Sequence, residues 1–301
     1  MTTTEYNVEE KAGRGGMKNF DDLDFTDNFM FCKVLENNPE LCRQLARICT
    51  GESFGEIVAI NREHMIEITP DGHGVRFDVC LETDNAICDI EMQVCNKGDL
   101  PKRSRYYQGM VDINTFERRS DYQSLKKSYI IFICMENPFK GKELHKYTFS
   151  NLCHENKNLA LGDEAIKIFL TPDSTAKDIS GDLEDFMNFV IKKRGNSDFT
   201  KGLEEAVEAI KKGEGWRPEY MHIQELYDEG REAGIAEGRK TGITEGRKAG
   251  IAEGRIEGMD STLTIIHLLD NGETDYKKIA ESANVSSDIV EEIVKRRKSA
   301  K

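Results

Sequence analysis

After a polar, glycine-rich opening, the chain takes up helical periodicity. Across residues 27–50, Phe31, Val34, Leu35, Leu41, Leu45 and Ile48 fall on one stripe, with Thr26 where an N-cap belongs. The period then shortens to two. Strand-like runs cover residues 56–60, 65–68, 75–82 and 86–94. Pro101 suits the first turn of a helix that the pattern extends to about Arg118, and short apolar runs at 128–135 and 165–170 suit buried strands. Beyond Pro172 the pattern is helical, over 183–193, 203–211 and 218–227, with three short helical stretches in 261–301. Helix, strands, helix and strand in that order predict a mixed α/β core with an all-helical extension.

The two central strand runs read as a hairpin. Val75, Phe77, Val79 and Leu81 alternate with Arg76, Asp78, Cys80 and Glu82; Ala86, Cys88, Ile90, Met92 and Val94 alternate with Ile87, Asp89, Glu91 and Gln93. Asp84 and Asn85 form a two-residue turn, and both tolerate the positive φ that such turns demand. The register follows: Val79 meets Ile90, Phe77 meets Met92, Asp78 meets Glu91 and Arg76 meets Gln93.

Carboxylates directly opposed on a hairpin have Cβ atoms about 4.5–5.5 Å apart. Left bare, they repel. Two readings stand. Asp78 and Glu91 are the solvated face of an antiparallel sheet, or they share a divalent cation, with the backbone carbonyl of Met92 available beside them. Such an ion lowers the pKa of a bound water and stabilises charge on a phosphodiester.

Composition narrows the setting. The 301 residues allow one sizeable domain and an appendage, or two modest domains; 38% hydrophobic residues support a core and 32% charged residues a solvated surface. No apolar run is long enough to cross a bilayer, and residues 1–16 read as a disordered tail, so a cytoplasmic protein without a membrane anchor is expected. Eight cysteines without a CxxC pair read as reduced, buried thiols. The net charge of −13 argues against a general nucleic-acid coat protein. It leaves room for a nuclease, whose acidic site a metal neutralises.

The stretches V-R-F-D-V-C-L-E, C-D-I-E-M-Q-V and P-K-R-S-R-Y-Y, preceded by T-D-N-F-M-F-C-K at 26–33, resemble the PD-(D/E)XK nuclease family transposases, the recombination-promoting nucleases. The resemblance runs from about Phe20 to Pro172. It implies a restriction-endonuclease-like αβββαβ core, magnesium- or manganese-dependent hydrolysis of DNA, and a link to recombination or mobile DNA. Asp78 and Glu91 then become metal ligands. Gln93 takes the place where many relatives in the wider superfamily carry lysine, and a neutral amide orients water only through hydrogen bonds. Asp27 is either an extra acidic group of the site or a helix cap. Arg103 and Tyr107 match the family's R-x-x-x-Y; they either hold a phosphate or close the helix onto the sheet. Arg105, Arg118, Arg119, Lys126 and Lys127 either line a nucleic-acid groove or form a solvated surface.

The expected organisation is a tail at 1–19, the nuclease core at 20–175, a helical extension at 176–229, a repeat at 230–258 and a small helix-turn-helix-like module at 259–301. In the repeat, glycine recurs at every fourth position from Gly230 to Gly258. Eight interior glycines each cost a helix about 1 kcal/mol against alanine. The repeat is therefore either a flexible tether or a helix whose close contact with another copy offsets that cost, making a homo-oligomer. The last module, with Ser286 as N-cap and Ile289, Val290 and Ile293 facing inward, is either an interaction module or a DNA reader, and Asp288, Glu291 and Glu292 disfavour the latter. The leading function is a magnesium-dependent DNA endonuclease. The alternative is a non-catalytic, oligomerising interaction protein that keeps the nuclease fold.

Overall fold

A computed structural model of the protein describes residues 17–62, 65–66, 75–94, 98–116, 120–139, 141 and 143–299. The predicted tail at 1–16, strand residues 67 and 68, Cys95, Arg118 and Arg119 lie outside the described residues, as do the side chains of Val75 and Arg76. The chain divides into two units, 1–227 and 228–301.

In the first unit the predicted opening helix is two: α1 (Asn28–Asn37) and α2 (Pro39–Thr50). The break has a local cause. Pro39 disfavours helical geometry at the residue before it, and Asn38 sits at φ −131°, ψ 74°. Asp27, not Thr26, occupies the N-cap position of α1. Both helices bury their apolar stripe, with Phe31, Val34, Leu35 and Leu45 fully enclosed.

Strands β1 (Ile57–Arg62), β2 (Met65–Ile66), β3 (Val75–Arg76), β4 (Val79–Thr83) and β5 (Ala86–Gln93) follow. Helix α3 (Leu100–Thr115) then leads to β6 (Lys127–Cys134), β7 (Lys146–Phe149) and β8 (Ala165–Leu170). The main sheet runs β1-β4-β5-β6-β8-β7, antiparallel on both flanks and parallel at β5–β6 and β6–β8. A parallel neighbour needs a crossover, and α3 supplies it between β5 and β6. Strand β7, with its short K-Y-T-F run, carried too little alternation to be predicted.

The hairpin register is the expected one from Val79↔Ile90 to Glu82↔Ile87. The turn differs. Neither Asp84 nor Asn85 has positive φ; instead the Thr83 hydroxyl accepts from the Ala86 amide at 3.1 Å, and Asn85 Oδ1 accepts from the Gly55 amide at 3.0 Å.

The first hairpin strand also breaks where one continuous strand was expected. Val75–Arg76 leaves the main sheet to pair with Met65–Ile66, and the ladder resumes only at Val79. Phe77 therefore does not join Val79 and Leu81. Those two pack with Ile90 and Met92 under α1, α2 and two later helices, α4 (Asp182–Lys192) and α5 (Asp198–Lys212). Phe77 lies in the opposite layer, edge-on to Tyr107 of α3 at 5.3 Å between ring centres. The sheet is thus covered on both faces.

Helix α6 (Trp216–Asp270) is continuous through the glycine repeat, where residues 229–260 are all exposed. In the second unit the end of α6 packs with α7 (Tyr276–Ser282) and α8 (Ser287–Ser299) around Ile265, Ile279 and Val290. Ile289, expected inside, is 46% exposed; Ile293 packs against the cluster. Among the described residues all seven cysteines are free thiols, and burial pushes those of Cys42 and Cys49 up to about 12. No helix among them is long and apolar enough to cross a membrane.

Candidate active site

The alternation on β5 points Asp89, Glu91 and Gln93 to one side of the sheet. That side is not solvated. Asp89 is fully buried, and Glu91 and Gln93 are 2% exposed, because β5 lies inside the sheet and α3 crosses over its polar face. The reading of these residues as a wet outer face is therefore wrong for β5.

Where the backbone ladder stops, side chains replace it. The Asp78 amide donates to Glu91 Oε1 at 2.8 Å, and the Met92 amide donates to Asp78 Oδ2 at 3.0 Å. Both bonds form just beyond the last ladder pair, Val79↔Ile90. Asp78 and Glu91 thus meet as the register predicts, although no ladder pair joins them.

Arg103 enters from the first turns of α3. Its Nη1 donates to Gln93 Oε1 at 2.7 Å, and its Nη2 reaches Glu91 Oε2 at 3.3 Å and the Tyr107 hydroxyl at 3.1 Å. The four-residue spacing stacks the guanidinium over Tyr107, with Phe132 beneath. Asp78, Glu91, Gln93, Arg103 and Tyr107 are therefore one cluster.

Asp27 Oδ2 accepts from Lys18 at 2.8 Å and from the Asp24 amide at 2.9 Å. Its neighbour Asn28 reaches the cluster, donating from Nδ2 to Asp78 Oδ1 at 2.7 Å. Lys126 is engaged by Glu82 and the Thr83 carbonyl, and Lys127 by Glu52. Arg105 is exposed.

Asp89 lies on the polar face that the sequence pattern outlines, without a feature that singles it out. Neither of its carboxyl oxygens has a hydrogen-bond partner among the described residues. Burial first, then the nearby Asp78 carboxylate, hold its pKa well above the usual carboxylate range, and Arg103 and the adjoining Glu91 carboxyl only partly oppose them. Burial and the charges of Asp78 and Asp89 raise Glu91 in the same direction. Its one available signal was position, two residues before Glu91 on the same face.

Three carboxyl groups with one guanidinium leave an excess of negative charge when ionised, which is the condition a divalent cation relieves. Among the described residues no three Asp, Glu, His or Cys side chains converge closely enough to hold a metal by themselves. Asp78 and Glu91, whose four carboxylate oxygens here accept from Asn28, the Met92 amide, the Asp78 amide and Arg103, are the pair that would take such an ion.

The central hairpin, the crossover helix over its polar face and the parallel strand beyond make a PD-(D/E)XK nuclease-like core with a helical extension. The model of the PD-(D/E)XK nuclease family transposases matches residues 22–171, and through that segment the chain belongs to this family. No curated protein and no solved structure matches the chain.

Proposed function

We propose that the protein is a metal-dependent endonuclease that hydrolyses DNA phosphodiesters in the cytoplasm, in a process tied to recombination or mobile DNA. The observation that carries the reading is the meeting of Asp78 and Glu91 beside Gln93 and Arg103, in a family of nuclease and transposase type. Burial and mutual repulsion oppose ionisation of Asp89 and Glu91, a conflict that a divalent ion, magnesium or manganese, would relieve as cofactor.

Asp78 and Glu91 would hold the ion, with the Met92 carbonyl as a neutral donor. The chemistry supplied by the bound ion is a lowered pKa for a coordinated water and neutralisation of charge on the phosphodiester. Gln93 orients the attacking water through its amide. Arg103, in hydrogen-bond contact with Gln93, brings the permanent positive charge that the amide lacks and faces the scissile phosphate. Tyr107 keeps the guanidinium in place. The chain's overall acidity is then no obstacle, since the positive charge that matters is local.

Residues 230–258 are proposed to join copies of the chain. Each glycine of the repeat has open space where a Cβ would stand, so a second helix has access to the backbone. A helix carrying eight exposed glycines needs such a partner to offset their cost.

The test is supercoiled plasmid incubated with the purified protein in magnesium, in manganese and in excess chelator. Nicking or linearisation with either ion, and none with chelator, supports the reading. Intact plasmid under all three conditions favours the non-catalytic scaffold instead.

A further inference from the structure

Helix α1 has two working faces one residue apart. On one, Asn28 and Cys32 are a helical turn apart, and both hold Asp78: Asn28 Nδ2 donates to its carboxylate at 2.7 Å, and the Cys32 thiol donates to its backbone carbonyl at 3.4 Å. On the other, Phe29 and Lys33 repeat the same spacing and meet the base of α6. Phe29 packs edge-on to Tyr220 at 5.1 Å between ring centres. Lys33 is fully buried, with Nζ at 2.6 and 2.7 Å from the two carboxylate oxygens of Glu219 and 4.4 Å from the Trp216 ring centre.

A lysine with no exposure is rare unless paired, because an ammonium taken out of water costs several kcal/mol. Here the cost is met by an ion pair that reaches from α1 to a residue 186 positions later in the chain. The lock ties together the helix that grips Asp78 and the helix that continues into the glycine repeat.

We infer that α1 is a strut through which the base of α6 holds Asp78 in position, with Asn28 and Cys32 as its grip and Lys33, locked to Glu219, as a positioning residue at its far side. Releasing the lock lets α1 shift against the sheet. Asp78 then loses the geometry in which its carboxylate accepts from the Met92 amide and its amide donates to Glu91. The consequence for function rests on the proposed metal role of Asp78; the strut itself does not.

The test compares full-length wild type with Glu219→Gln and Lys33→Met by amide hydrogen exchange without metal. In both variants the amides of residues 78 and 92 exchange roughly tenfold faster than in wild type, the middle of the ordinary range for coupling between sites. The β6 amides at 130–133 keep their wild-type protection. Wild-type exchange at 78 and 92 in a folded Glu219→Gln protein overturns the strut, as does loss of protection spread evenly through the sheet. Glu219→Gln keeps an oxygen acceptor for Lys33, so it serves if Lys33→Met does not fold. Magnesium titration followed by thermal shift is the second arm. The apparent magnesium affinity falls about tenfold in the variants. No magnesium response in wild type itself, with the exchange result intact, would count against the metal reading and leave the strut standing.

Discussion

Asp78 and Glu91 are joined by one hydrogen bond outside the strand ladder: the Asp78 amide donates to the Glu91 carboxylate, and the Asp78 carboxylate accepts from the amide of Met92, the residue after Glu91. The pair thus sits at the point where the hairpin comes apart, and the break itself supplies donors that fix both carboxylates.

Asp89 is predicted to weaken the metal-free fold. It is fully buried, its oxygens have no partner among the described residues, and burial with a neighbouring carboxylate opposes its ionisation. Asp89→Val suits the strand and removes the desolvated carboxyl, so it should raise unfolding free energy at neutral pH by about 1–2 kcal/mol, as read by urea denaturation in chelator. A loss of stability of that size would show that Asp89 has a partner the account lacks.

Acid stability should depend on Asp24. Burial acts to raise its pKa, but hydrogen bonds from Thr26 and Lys193, and the lysine charge, outweigh it and hold the carboxyl well below its ordinary 3.8. A depressed folded pKa contributes stability that is present above the unfolded value and lost as pH falls towards the folded one. The stability gap between wild type and Asp24→Asn should therefore be widest near neutral pH and close below about pH 4. A gap that widens on acidification would contradict this.

Gln93→Ala should slow cleavage about ten- to a hundredfold while magnesium affinity stays near wild type, because its proposed task is to orient water and not to hold the ion. Arg103 loses a hydrogen-bond partner at the same time. Parallel calorimetry and plasmid kinetics separate the two quantities; an equal loss in both would make Gln93 a determinant of metal binding.

Deleting residues 230–301 should leave a folded core that is largely monomeric, since the exposed glycine repeat goes with the segment. Light scattering decides it. The same oligomeric state in truncated and full-length protein would remove the repeat from the assembly.

Much of this was legible in the chain, and the failures have physical reasons. The hairpin register could be read because a two-residue turn between apolar alternations allows few pairings, and Val79↔Ile90 is what forms. The break at Phe77 could not, because its apolar side chain fits the alternation whichever layer receives it; only α3, with Tyr107, draws it to the other side. Burial of Asp89 and Glu91 was hidden for a similar reason. Polar residues at period two look alike whether water or a crossover helix covers them. Asp27 drew notice as the acidic residue of the opening motif, yet Lys18 and the Asp24 amide engage it, and the neutral Asn28 beside it reaches Asp78. A pattern search for carboxylates does not see a carboxamide.

Everything proposed for the site turns on whether the Asp78–Glu91 pair is a metal-holding cleavage centre. The most direct test is plasmid cleavage in magnesium by wild type, Asp78→Asn and Glu91→Gln, purified side by side, with circular dichroism to show that each is folded. Wild type should cleave in a metal-dependent way, and neither folded variant should cleave above background. Wild-type rates in a rigorously purified Asp78→Asn protein would contradict it, for the cleavage would then come from elsewhere.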